Sequence, residues 1–214
     1  MGLFLFVAAL LSNEPLKIAA SIEIFLEGVG INSRVKNAAR WREEIKNRSN
    51  FDVIDPPALT AIFPPKNNFC CISFDNCPFQ EIEVSRHLSH QLNTVVSLIE
   101  VYDSTTWYHR LFQNGELIDK FCNNPSEFES TQKANEFKGN ADILSKVFKV
   151  DKFEIQDYLF QFNPINRNEN FSRKIDISDE NYLGNEWFFV DFWRKLGIEY
   201  PRISPQLILL HKIK

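Results

Sequence analysis

The chain has 214 residues, is 44% hydrophobic and 24% charged, and carries a formal net charge of −4. This is ordinary globular composition, which excludes collagen-like, coiled-coil and disordered chains, and the negative balance offers no overall attraction to nucleic acid or anionic lipid. Cys70, Cys71, Cys77 and Cys122 are too sparse for a disulfide scaffold and read as reduced thiols of a cytoplasmic protein.

The chain opens on MGLFLFVAALLSNEP. No Lys or Arg precedes its apolar run, and Gly2 to Leu11 is too short to cross a bilayer, so the segment predicts a buried strand and no membrane association. Without a secretion signal, the acceptor motifs at Asn47 and Asn170 are chance matches. Ser12 or Asn13 as cap, Pro15 in the first turn and Gly28 and Gly30 bracket a first helix, with Ile18, Ile22, Phe25 and Leu26 on one side. A second helix is expected from Ser33 to Arg48, with Val35, Ala38, Trp41 and Ile45 as its apolar stripe. Two Pro-Pro pairs then leave room for one short edge strand, Leu59 to Phe63.

FCCISF, Phe69 to Phe74, predicts a strand, FQEIEVSRHLSHQL a helix and TVVSLIEVY a β-branched strand. The stretch VYDSTTWYHRLFQNGELIDKF predicts a hairpin turning at Asn114 and Gly115. That register opposes Phe112 to Leu117, Arg110 to Asp119 and Tyr108 to Phe121, with an Arg110–Asp119 ion pair between apolar rungs; Trp107, His109, Leu111 and Ile118 take the other face. The pattern as a whole predicts an α+β fold, a largely antiparallel sheet with helices on one face.

Past Phe121 the composition turns polar, and this is the one boundary the sequence suggests: a sheet domain 1–122 and a helical, aromatic-rich extension 123–214 packed on the same core, or one domain throughout. Two helices near 141–148 and 152–160, an Asn-rich loop 163–170, the helix EWFFVDFWRKLG and a closing strand PQLILLHKI are expected. Twelve of the twenty Phe residues fall between Phe112 and Phe192, which calls for an aromatic core.

Five chemistries can be weighed. Asp103, Ser104 and His109 lie within seven residues, but no GxSxG elbow is present and adjacent Asp and Ser suit a turn better than a triad, so a hydrolase is an alternative only. His87 and His90 lack zinc-site spacing and predict surface histidines, with no metal. Arg34, Lys36, Arg40, Arg42, Lys46 and Arg48 against Glu43 and Glu44 make the second helix locally basic, the basis of a DNA-binding alternative. ADILSKVFKVDKFEIQDYL has helix-turn-helix spacing, but Glu154 and Asp157 would meet phosphates. GVG at Gly28 to Gly30 ends a helix and cannot cradle phosphate, so no cofactor is expected. Asp176, Asp179 and Glu180 suit charge near a helix start rather than acid–base work.

YDSTTWYHRLFQNGELIDKF with NEWFFVDFWRKLGI resembles uncharacterised bacterial proteins in which a Tyr-Asp-Ser strand precedes an aromatic hairpin. The resemblance implies a bacterial, cytoplasmic protein and carries over no catalytic residue. The expectation is a non-enzymatic binding or protein-interaction module. Its surface would lie at the Asp103–Trp107 turn and the aromatic C-terminal region, with Trp107, Tyr108 and Trp193 as anchors and protein as the partner.

Overall fold

The computed structural model describes residues 4–46, 58–75, 80–102, 106–127, 131–162 and 167–212. In chain order these form β1 (Leu5–Leu11), α1 (Pro15–Gly28), β2 (Asn32–Asn37), α2 (Ala38–Lys46), β3 (Ala58–Ile62), β4 (Phe69–Asp75), α3 (Glu81–Gln91), β5 (Val95–Tyr102), β6 (Thr106–Gln113) and β7 (Glu116–Cys122). The C-terminal region adds α4 (Thr131–Ala134), α5 (Ala141–Phe148), α6 (Lys152–Ile155), α7 (Arg167–Asn170), α8 (Phe188–Lys195) and β8 (Leu207–Lys212), with short 3-10 turns between them. The strands form one antiparallel sheet in the order β2-β8-β3-β4-β1-β5-β6-β7, so the fold is α+β.

Two expectations fail for the same reason. Ser33 does not start a helix: β2 runs through Asn37 before α2 begins, because Ser33 pairs with His211 and Val35 with Leu209 on β8. A ladder offered by a strand far away in sequence outweighs a helical periodicity that propensity alone supports only weakly. Arg34 and Lys36 therefore lie on a strand and Arg40 and Arg42 on α2, and the basic stripe is divided. Likewise β3 is not an edge strand, since β4 pairs with one side of it and β8 with the other.

The chain forms two compact units that interleave along the sequence. One comprises residues 6–96, 113–116 and 201–214. In it Ile18, Ile22 and Leu26 of α1 are buried as expected, as are Val84 and Leu88 of α3. His87, expected at the surface, joins α3 to α1 through the Ser21 carbonyl, 3.1 Å from its Nε2, and packs on the Phe25 ring. Thr60 and His211 form a buried pair at 2.7 Å. The hairpin turn has Asn114 at φ 53° and Gly115 at φ 84°, as the Asn-Gly pair requires. The Gly115 N–H donates to Ser89 Oγ at 2.9 Å.

The other unit holds residues 97–112 and 117–200 together with the start of the chain. Its core is aromatic: Trp107 packs on Phe121, Phe188 and Phe192, Phe189 packs edge-on to Trp193, and Tyr158 stacks on Phe188. Phe189, Phe192, Trp193 and Leu196, the expected stripe of α8, are all buried, and Gly197 at φ 77° ends the helix.

The hairpin register departs from expectation by one residue away from the turn. Phe121 lies on the face of Trp107, Cys122 clusters with Tyr108, and the Asn123 N–H donates to the Trp107 carbonyl. An offset of one moves every side chain to the opposite face. Arg110 accordingly pairs with Glu100 rather than Asp119, and Arg110 and Lys120 both sit over the Phe137 ring.

Gly115 tests the turn. Its positive φ disfavours any side chain, and an added Cβ would lie 3.1 Å from His90 Cβ. Gly115→Ala is expected to lower unfolding free energy by about 1 to 2 kcal/mol, measured by urea denaturation.

Candidate ligand cleft and its supporting network

Trp107, Tyr108, His109 and Trp193, singled out in the sequence, are placed where they build structure. Trp107 is 1% exposed and Trp193 0% exposed, and Tyr108 is also buried, so none of the three can anchor a partner at the surface. Their size and apolar character, which suit interfaces, suit a core equally well. Asp103 and Ser104 lie outside the described residues. Arg40 is exposed on α2, with its N–H capped by Asn37 Oδ1. The helix-turn-helix segment has no recognition helix, because α6 is only four residues long before the chain tightens into a 3-10 turn.

His109 is fully buried in the middle of β6, and the serine beside it is Ser97 of β5. Ser97 Oγ accepts a hydrogen bond from Trp193 Nε1 and lies 2.9 Å from His109 Nε2. The hydroxyl has a second acceptor site and one proton, so the Ser97–His109 contact is compatible with either ring tautomer, and His109 Nδ1 is buried with no hydrogen-bond partner among the described residues. Burial, with help from the Arg110 charge, pushes the His109 pKa down to about 3, so the ring stays neutral at pH 7 and is poorly matched to take a proton there. The pair resembles a nucleophile and its base in distance alone. Ser97 is closed off from solvent and is oriented by an indole rather than an acid. Cys70 and Cys71 are likewise inert: burial pushes both thiols up to about 12. Among the described residues no three His, Cys, Asp or Glu side chains are placed to hold a metal.

A dense polar network lies in the C-terminal region, and it involves the carboxylates expected only to favour a helix start. Asp191 of α8 and Asp179 are buried. Asp191 accepts from the backbone N–H groups of Glu180 and Asn181 and from Asn181 Nδ2. Asp179 accepts from Tyr158 Oη at 2.6 Å and from the Asp176 N–H at 2.8 Å. Arg194, one helical turn from Asp191, sits 2.7 Å from Asp191 Oδ1 and 3.3 Å from Asp179 Oδ1, and donates to the Ser178 carbonyl. The Lys195 ammonium and two donors from Ser178 hold the Asp176 carboxyl far below its usual range. Bonds from Asp191, Arg194, Lys195 and Tyr158 join α8 and the 3-10 turn to the loop 171–184, and the Asp176, Ser178 and Asp179 bonds brace the loop itself.

That loop presents one wall of an open cleft. The Arg173 N–H donates to the Asn170 carbonyl, the Leu183 N–H to the Arg173 carbonyl and the Gly184 N–H to the Phe171 carbonyl. Gly184 must lack a side chain, since a Cβ would come 2.4 Å from the Phe171 ring. The cleft, about 340 Å³, is lined by Lys138, Gln156, Asp157, Leu159, Phe160, Gln161 and Arg173. The Arg173 guanidinium lies 5.3 Å from the Phe160 ring centroid. Gln161 Nε2 donates to the Cys122 and Phe137 carbonyls, which fixes the floor. Lys138 is held through its backbone, bridged to Phe121 of β7 beside the bond from the Gly139 N–H to the Lys120 carbonyl. Nothing in the sequence marked these residues, because they come from three separate segments with no fixed spacing.

Beneath the Lys138 segment, Asp119 is buried, receives backbone N–H groups from Lys120 and Asn140, and has its pKa pushed up to about 6 by burial. A carboxyl whose native pKa exceeds its unfolded value of 3.8 stabilises the fold at low pH and loses that contribution as pH rises through about 6. Asp119→Asn is therefore expected to raise stability by about 2 to 3 kcal/mol at pH 7.5 and to change it little at pH 4, read by urea denaturation at the two pH values. Arg194→Ala leaves Asp191 and Asp179 buried with their neutral donors but no cation. It is expected to cost about 3 kcal/mol, measured in the same way.

No protein-family model, no curated protein and no solved structure matches the chain.

Proposed function

We propose that the protein is a non-enzymatic binding module whose recognition site is the cleft between Lys138, Phe160 and Arg173. The observation that carries this is the cleft itself: two cations, an aromatic ring and amides are held on backbone segments that are already hydrogen-bonded, so little ordering remains for a ligand to impose. Its volume falls at the small end of the range of ligand sites. The groups that could do chemistry support the same reading by their placement. His109, Ser97 and the thiols of Cys70 and Cys71 are sealed in the core, where a hydrolase would need its nucleophile and base open to substrate. Buried thiols that form no disulfide at Cys70, Cys71 and Cys122 suit the cytoplasm. No helix among the described residues is long and apolar enough to cross a membrane. A protein partner would meet the cleft through a side chain that enters it, not through Trp107 or Trp193.

The test is a screen of chemically varied small fragments against the full, isotopically labelled chain by NMR. Binding should perturb the amides of residues 156–161 and 173 and leave the fragments unchanged on recovery. Consumption of a fragment, or the absence of any perturbation at those residues, contradicts the proposal.

A further inference from the structure

Resting on that reading, we infer that the cleft takes a small organic oxyanion, a carboxylate or a phosphate carried on a flat or apolar body. Lys138 and Arg173 supply two positive charges against the single carboxylate of Asp157, so the lining is net positive in a chain that is net negative. Neither cation has an ion-pair partner among the described residues, whereas Lys120, Lys152, Arg110, Arg194 and Lys195 all have one. The Arg173 guanidinium over the Phe160 ring spends none of its N–H donors on an ion pair with a described residue, and its planar fork matches the two oxygens of a carboxylate or phosphate. Phe160 and Leu159 offer the apolar surface for the ligand body. Asp157 limits the charge tolerated and favours a monoanion over a polyanion.

Arg173 is set by the backbone bonds of Asn170 and Leu183, and the loop is held to α8 through Asp179 and Asp191. Lys138 approaches from the segment that follows Phe137, whose carbonyl is bound by Gln161. Charge-assisted bonds of this kind are about twice as strong as neutral ones, so either cation should contribute a measurable share of affinity.

The experiment titrates the full chain with benzoate, phenyl phosphate, inorganic phosphate, benzylamine and benzyl alcohol at low salt, by NMR or calorimetry. Benzoate or phenyl phosphate should bind saturably at residues 156–161 and 173. Binding should weaken about tenfold in Arg173→Gln and in Lys138→Gln, a loss matched to one charge-assisted bond, and tighten in Asp157→Asn. All three side chains are exposed, so the variants should fold. Whichever of the two aromatic anions binds more tightly identifies the oxyanion. Benzylamine or benzyl alcohol binding the cleft as tightly as either anion overturns the inference while leaving a binding site in place. Weaker anion binding in Asp157→Asn overturns it as well. If no probe perturbs the cleft, the inference and the proposed function fall together.

Discussion

Asp191 and Arg194 stand one helical turn apart on α8, and their pairing is the interaction on which the C-terminal region depends. A carboxylate taken out of water is costly unless it is fully hydrogen-bonded. Asp191 meets that demand with two backbone N–H groups and an amide from the loop, in addition to the guanidinium. The loop conformation of the structure supplies those donors together, so the penalty for breaking the set favours that conformation. Asp179 repeats the device from the loop side, accepting from Tyr158 while Arg194 reaches both carboxylates. Helix, 3-10 turn and loop are thereby fixed relative to one another within this unit, and Arg173 is fixed with them.

Burial decides which of the polar groups can act. A histidine 2.9 Å from a serine hydroxyl would be a candidate catalytic pair in a cleft. In a core lined by Phe192 and Trp193 it is a means of satisfying an indole N–H and a hydroxyl where water cannot reach them. The exposed cations of the cleft are in the opposite position. They face solvent, and their neighbours in the cleft are amides, an aromatic ring, Leu159 and the Asp157 carboxylate. The more conspicuous chemistry-bearing groups, His109, Ser97, Cys70 and Cys71, are therefore buried, and less conspicuous residues line the accessible cleft.

Elements whose signal was local were legible in the sequence. Pro15 and Gly30 bracket α1, Asn114 and Gly115 make the turn, and the 3.6-residue spacing from Phe189 to Leu196 marks the buried face of α8. What depended on distant partners was not. Residues 33–37 form a strand because β8 arrives beside them, and the hairpin shifts by one because Asn123 bonds Trp107 through both its side chain and its backbone. Trp107 and Trp193 carry the same composition signal in a core as at an interface, and only packing tells the two apart. The acidic run 176–180 shows charge in the sequence, but its partner Arg194 lies fourteen or more positions onward, and no spacing rule links them. The cleft was invisible for the same reason.

The buried carboxylates order the loop that carries Arg173. Amide hydrogen exchange in Arg194→Met compared with the unaltered chain tests it most directly. The amides of Glu180, Asn181, Leu183 and Gly184 should exchange much faster in the variant, while those of β6 keep their protection. Unchanged protection at those four amides would contradict it.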